Sequence, residues 1–227
     1  MSNVDDLLKA FSGTTPLFPL QDTVLFPKTV QPFHIFEPRY LKMVRDVMKG
    51  ERLVTIPLLR ELENGQRNEL PTFRSIATMA YINTVQPGEE DTLNILVTGL
   101  VKVHIEELES DEPYRRGAVT PLKEFDHVTN AEGKRRSILS RFQSLLEKSQ
   151  VQGSLDALGE EQIPLEMLAH VVISALPVPA AEMQKMLELQ SLELRIDILL
   201  NFLDSGLHSF DATQPFDPIM PTNPTWN

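Results

Sequence analysis

The stretch FPLQDTVLFPKTVQPFHIFEPRYLKMVRD, Phe18 to Asp46, decides the fold. Pro19, Pro27, Pro32 and Pro38 punctuate short apolar runs within it. Proline has no N–H to give to a ladder, so inside a sheet it is confined to strand starts, edges and bulges. Leu17–Leu20, Thr23–Phe26 and Thr29–Phe36 therefore read as short strands of an irregular, bulged sheet. Pro38 suits the first turn of a helix, where its missing N–H costs little. That helix carries Tyr40, Val44 and Val47 on one face and meets Gly50 as a stop.

Outward from this stretch, Arg52–Leu59, Ser75–Val85, Thr92–Leu108 and Tyr114–Leu122 read as further strands, the middle two joined by a turn at Gln86–Asp91. The segment Arg60–Pro71 is polar and reads as an exposed loop. Near residue 128 the apolar spacing changes from alternating to helical. Thr129 and Glu132 have the spacing of a capping box, and Ile138, Leu139, Phe142, Leu145 and Leu146 follow on one face. Helical faces recur at Leu165–Leu176, Met183–Leu187 and Leu192–Leu203. Pro177 and Pro179 break the series and Gly206 closes it. The expected organisation is α+β: a β-rich domain over 1–128, a helical subdomain over 129–206 and a proline-rich tail over 207–227. In that tail Pro215, Pro218, Pro221 and Pro224 recur every third residue, the period of polyproline II.

Composition narrows the chemistry. The chain has 227 residues, 41% of them hydrophobic, a formal charge of -11 and no cysteine. Nucleic acid is a poor partner for such a balance, because affinity for it comes largely from Lys and Arg neutralising phosphates. Without cysteine there are no disulfides, thiolate nucleophiles or Cys-based zinc sites. No apolar run approaches membrane-spanning length. Asp5 and Asp6 stand where a secretory signal would carry basic residues, so the expected localisation is cytoplasmic.

The ordered run PLFPLQDTVLFPKTVQPFHIFEPRYLKMV resembles the opening of the Lon protease N-terminal, or substrate-binding, domain. ILVTGLVKVHIEEL is similar to that family's glycine-containing strand pair, and PYRRGAVTPL falls where the family often has Pro-Tyr before a strand. The segment from Leu165 to Leu203 resembles the helical extension that follows. The likeness covers roughly residues 16–204. It implies a PUA-like pseudo-barrel of bulged strands followed by a small helical bundle. One departure is Lys28, where the family often has glycine after the second Phe-Pro; a differently shaped loop is expected there.

The resemblance implies a stand-alone module without the ATPase and Ser-Lys protease modules of complete Lon proteases. Residue chemistry agrees with that expectation. The only Gly-Lys pair, Gly133-Lys134, has Val128 where a phosphate-binding loop needs its earlier glycine and Arg135 where it needs a hydroxyl. His34, His104, His127, His170 and His208 have no zinc-protease spacing and read as structural or solvent-facing. No catalytic residue, cofactor or metal is expected.

The expected function is recognition of unfolded or extended polypeptide, through an exposed sheet edge and an apolar groove near FHIFEPRY. Phe26, Phe33, Arg39 and Tyr40 are the candidate peptide-binding residues. A competing reading has Glu37 and Arg39 orienting the strand-to-helix corner while Tyr40 packs inward with Val44. Two further functions stay open: an adaptor docking onto a separate ATPase or protease, and a PUA-like RNA-binding module.

Overall fold

The computed structural model describes residues 4–60, 71–148, 158 and 163–205. The expectations for the loop after Arg60, for Gly206 and for the proline-rich segment 207–227 lie outside the described residues. The chain divides into two compact units between Leu122 and Lys123 rather than after residue 128.

The first unit contains α1 (Val4–Ala10), β1 (Thr14–Pro16), β2 (Val30–Ile35), α2 (Pro38–Val47), β3 (Leu53–Ile56), β4 (Ile76–Pro87), β5 (Leu93–Leu108) and β6 (Arg116–Pro121). The six strands form one antiparallel sheet in the order β1-β6-β5-β4-β3, with β2 added to β5. The 16-residue β5 is the spine. One of its edges pairs with β4; along the other, Leu93–Thr98 hold β2 and Val103–Leu108 hold β6.

The prolines explain how this sheet closes. Leu17–Leu20, expected as a strand, makes isolated parallel bridges, Leu17 to Thr55 and Leu20 to Leu58, and its Leu17 N–H donates to the Arg115 carbonyl at 2.8 Å. The Phe18 N–H donates to the Thr55 carbonyl at 2.8 Å, and the Leu20 N–H to the Pro57 carbonyl at 3.0 Å. Alternate residues thus face β3, and Pro19 takes the position between them, where an N–H would point away. The run continues β1 across to β3 and closes the sheet into a pseudo-barrel. Thr23–Phe26, also expected as a strand, is irregular, and the expected strand Thr29–Phe36 contracts to Val30–Ile35. Bulging is present as expected, with register shifts in the β4·β5 ladder at Met79/Ala80 and Ile82/Thr84.

Gly99 lies where the edge of β5 passes from β2 to β6. The Lys28 N–H donates to the Gly99 carbonyl at 2.8 Å, and the Gly99 N–H donates to Thr29 at 2.9 Å. A Cβ at Gly99 would sit 2.2 Å from the Phe26 carbonyl oxygen, so this crossing requires glycine. Lys28 has φ 63°. It holds the left-handed conformation that glycine adopts without strain, so the turn keeps a glycine-type backbone despite the lysine.

Among the described residues, two apolar clusters pack inside this unit. One packs Tyr40, Leu41, Met43, Val44 and Val47 of α2 with Phe18, Leu25, Ile35, Ile82, Ile95 and Val97. The other gathers Leu17, Leu53, Met79, Leu100, Val103, Ile105 and Val119, with Leu7, Leu8 and Phe11 packed against it. Pro38 is the first residue of α2, and the face predicted from Tyr40, Val44 and Val47 is buried.

The second unit contains α3 (Ala131–Lys148), α4 (Leu165–Ala175), α5 (Ala180–Glu188) and α6 (Leu192–Asp204). Residues 123–128 join it because Phe125 donates to the Gln190 carbonyl at 2.8 Å and accepts from Leu192 at 3.0 Å. The expected capping box does not form. The Thr129 N–H, which Glu132 would have taken, donates instead to Glu193 Oε1 at 3.1 Å. Glu193 also receives Lys134 Nζ at 3.2 Å, while α3 itself begins at Ala131, one residue later than the expected box would place it, with the Lys134 N–H donating to the Asn130 carbonyl at 3.0 Å.

At the centre of this unit Arg195 is 1% exposed. Its Nε donates to the Met186 carbonyl at 2.9 Å, one terminal nitrogen to His170 Nε2 at 2.8 Å, and the other to the Leu189 carbonyl at 2.6 Å and to Glu124. A guanidinium only donates, so His170 Nε2 is the acceptor here. His170 is fully buried, the structural rather than the solvent-facing of the two roles expected for it.

Candidate functional site

The turn from β2 into α2 builds a groove of about 370 Å³ on the first unit. Its walls are Phe18–Asp22, Phe33–Glu37, Arg39, Tyr40 and Leu59. Strand alternation places Ile35 in the core and leaves His34 and Phe36 outward. Glu37 then holds the N-cap position of α2 with an extended backbone and no side-chain cap bond, and from Pro38 on Arg39 faces outward and Tyr40 inward.

The groove is lined by a fixed aromatic set. Phe18 meets Phe33 edge-on at 5.6 Å between ring centroids and Tyr40 at 4.8 Å. Arg39 lies 4.6 Å above the Tyr40 ring and gives its Nε to Glu37 Oε2 at 2.9 Å. Burial pushes the Tyr40 phenol up from its ordinary pKa, the Arg39 charge opposing, so Tyr40 stays neutral in ordinary buffers. At the mouth, Phe36 is 65% exposed and stacks on His34, whose Nδ1 bonds Asn94 Oδ1 at 2.9 Å.

Of the four candidate residues, Phe33, Arg39 and Tyr40 come together along this groove. Phe26 does not line it: the side chain is 0% exposed, beneath the Gly99 crossing. Phe26 is a buried packing residue, and what lies against Gly99 is its backbone carbonyl. The corner also matches the competing reading, since Glu37 and Arg39 are ion-paired and Tyr40 packs with Val44. The sequence reading missed Phe18, Leu20, Phe36 and Leu59. Period-2 alternation through Phe33-His34-Ile35-Phe36 could have placed Phe36 opposite Ile35; nothing local could have joined Leu59 to the set.

A second polar cluster holds the far end of α2. Lys42 Nζ reaches Asp46 at 2.6 Å and Glu112 at 2.5 Å, and the Tyr114 hydroxyl donates to Asp46 at 3.2 Å. These contacts fix the helix against the β5–β6 connection. Hydrogen bonding from Lys42 holds the Asp46 carboxyl below its ordinary 3.8. A depressed folded pKa contributes stability that is present above the ordinary value and lost as pH falls through the folded one. In an NMR pH titration the Asp46 carboxyl is expected to titrate below 3.8, and Lys42→Met is expected to move it up towards that value. An unchanged midpoint in the variant would remove Lys42 as the cause.

Among the described residues no group of three or more His, Cys, Asp or Glu side chains is placed to hold a metal ion, and no helix is long and apolar enough to cross a membrane.

Comparison with known proteins fits this architecture. The pattern of the ATP-dependent protease La (LON) substrate-binding domain matches residues 14–205. The chain is 25% identical over 211 residues to the Lon protease of Chloroherpeton thalassium, covering 90% of this chain and 24% of that protein. It is 26% identical over 185 residues to the Lon protease of Desulfosudis oleivorans, covering 81% of this chain and 23% of that protein. The chain thus spans about a quarter of the length of these relatives. In structure it is similar to the N-terminal domain of a Mycobacterium avium complex Lon protease, with TM-score 0.67, 15% identity and coverage of 86% of this chain and 100% of that one. The Lon N-terminal domain protein of Xanthomonas campestris aligns with TM-score 0.60 and 19% identity over 83% of this chain and 98% of that one. A closed six-stranded sheet, a proline-opened α2, a helical unit and a pattern match over most of the chain lead to one conclusion: the chain belongs to the Lon substrate-binding domain family.

Proposed function

We propose that the chain is a non-catalytic polypeptide-recognition module and that the groove between Phe18, Phe33, Phe36 and Tyr40 is its contact surface. The observation that supports this most is Phe36, a large aromatic 65% exposed at the mouth of a groove whose other aromatic rings are already held in place. Rigid aromatic walls give an incoming side chain contact area with little ordering cost. The rim carries Arg39 with Glu37 for backbone or polar groups of the guest. An RNA guest fits poorly with a chain of net charge -11.

The test is fluorescence anisotropy of a labelled unfolded polypeptide titrated with the full chain and with Phe33→Ala, Phe36→Ala and Arg39→Ala. Loss of a hot-spot anchor costs about 2 kcal/mol or more. Phe36→Ala is therefore expected to weaken binding about tenfold or more without changing the melting temperature. Equal affinity for all three variants would place the contact elsewhere.

A further inference from the structure

The outer edge of β2 bears on how a polypeptide would lie in this groove. The bond from the Gly99 N–H to the Thr29 carbonyl sets the phase of the β2·β5 ladder. Antiparallel pairs alternate, so residues 31, 33 and 35 turn their backbone groups to β5, and residues 30, 32 and 34 turn theirs outward. The bond between the facing side chains His34 and Asn94 fits the closer, non-bonded class of pair. The central outward position is Pro32, which is exposed and has no N–H. A guest strand added to this edge would lose the middle donor of three.

The groove beside that edge is different in kind. Phe18, Phe33 and Tyr40 pack edge to face, Pro19 stands next to them, and Phe36 projects at the mouth. Aromatic-lined grooves of this kind take polyproline II segments, whose backbone is solvated and needs no ladder. The rim charges are two carboxylates, Asp22 and Glu37, against one guanidinium, Arg39, on a chain of net charge -11. This balance favours a neutral or basic guest over an acidic one.

We infer that the guest is an extended segment with prolines at every third residue and neutral or basic residues between them, bound through its side chains rather than by strand addition to β2. The inference rests on the polypeptide reading above.

The experiment uses the full chain and three labelled synthetic peptides in anisotropy titrations: a lysine-containing peptide with prolines at every third position, the same peptide with all prolines replaced by alanine, and the proline peptide with glutamate in place of lysine. Binding is expected for the first, weakened at least about tenfold in the other two. Pro32→Ala restores the outward donor and is expected to leave the affinity for the proline peptide unchanged, while Phe36→Ala weakens it. If the alanine peptide binds as well as the proline peptide, or Pro32→Ala tightens binding several-fold, strand addition leads and the inference is overturned. If the glutamate peptide binds best, the charge argument is wrong. If none of these peptides and no unfolded polypeptide binds, the polypeptide reading fails and takes this inference with it; if only unfolded polypeptide binds, the reading stands and the inference alone falls.

Discussion

Gly99→Ala is expected to destabilise the sheet unit by roughly 3 kcal/mol or more, at or above the usual range for forcing an atom into a packed interior. The new Cβ would lie 2.2 Å from the Phe26 carbonyl oxygen and 3.0 Å from its carbon, both backbone atoms of the chain crossing above. No rotamer change relieves a clash between two main chains. Moving the Phe26 segment away would break the Lys28 to Gly99 and Gly99 to Thr29 bonds, which hold the crossing together. Gly50→Ala is the control, because its Cβ would meet only the Val47 carbonyl oxygen, at 3.9 Å. Thermal melts are expected to show a drop of ~10 °C or more for Gly99→Ala and little change for Gly50→Ala. A Gly99→Ala protein that melts like the parent would mean that the crossing is not as close as described.

The second large effect is expected in the helical unit. Arg195→Ala removes a guanidinium that donates to the carbonyls of Met186 and Leu189, to His170 Nε2 and to Glu124. Each of these buried or half-buried acceptors loses a charged donor, and deleting one partner of a buried ionic group costs about 3–5 kcal/mol. Replacing Arg195 by Met and Glu124 by Leu together is expected to cost less than Arg195→Ala, since no charge is then left unpaired. Arg141→Ala breaks an ion pair to Asp204 whose side chains are 37% and 54% exposed, and is expected to change stability by less than about 1 kcal/mol. Chemical denaturation followed by circular dichroism separates these cases. A cost for Arg195→Ala no larger than for Arg141→Ala would show that water replaces the buried network.

Much of this architecture was legible because proline and apolar period are local signals. Pro38 at a helix start, the Tyr40-Val44-Val47 face and the long β4 and β5 strands needed only neighbouring residues. The readings that failed depended on distant partners. Leu17–Leu20 alternates like a strand but is held by two parallel bridges to a segment nearly 40 residues away, and Thr23–Phe26 is a buried, irregular run whose Leu25 and Phe26 carbonyls accept from the Thr78 and Thr29 hydroxyls. Thr129 and Glu132 have capping-box spacing, yet Glu193 of α6 takes the N–H first.

The candidate site divides in the same way. Phe33, Arg39 and Tyr40 lie within eight residues and were readable as one corner. Phe18 joins them through the barrel closure, and Leu59 through the run beyond β3. Phe26 shows the limit of residue type as a guide: an aromatic in an apolar run is as consistent with a core as with a surface, and here it is core.

The most direct test of the polypeptide-recognition claim is anisotropy of a labelled unfolded polypeptide, beside a labelled structured RNA, titrated with the parent chain and Phe36→Ala at low and moderate salt. Saturable polypeptide binding is expected that survives moderate salt, weakens about tenfold in Phe36→Ala and has no RNA counterpart. Salt-sensitive RNA binding with no polypeptide binding would contradict it.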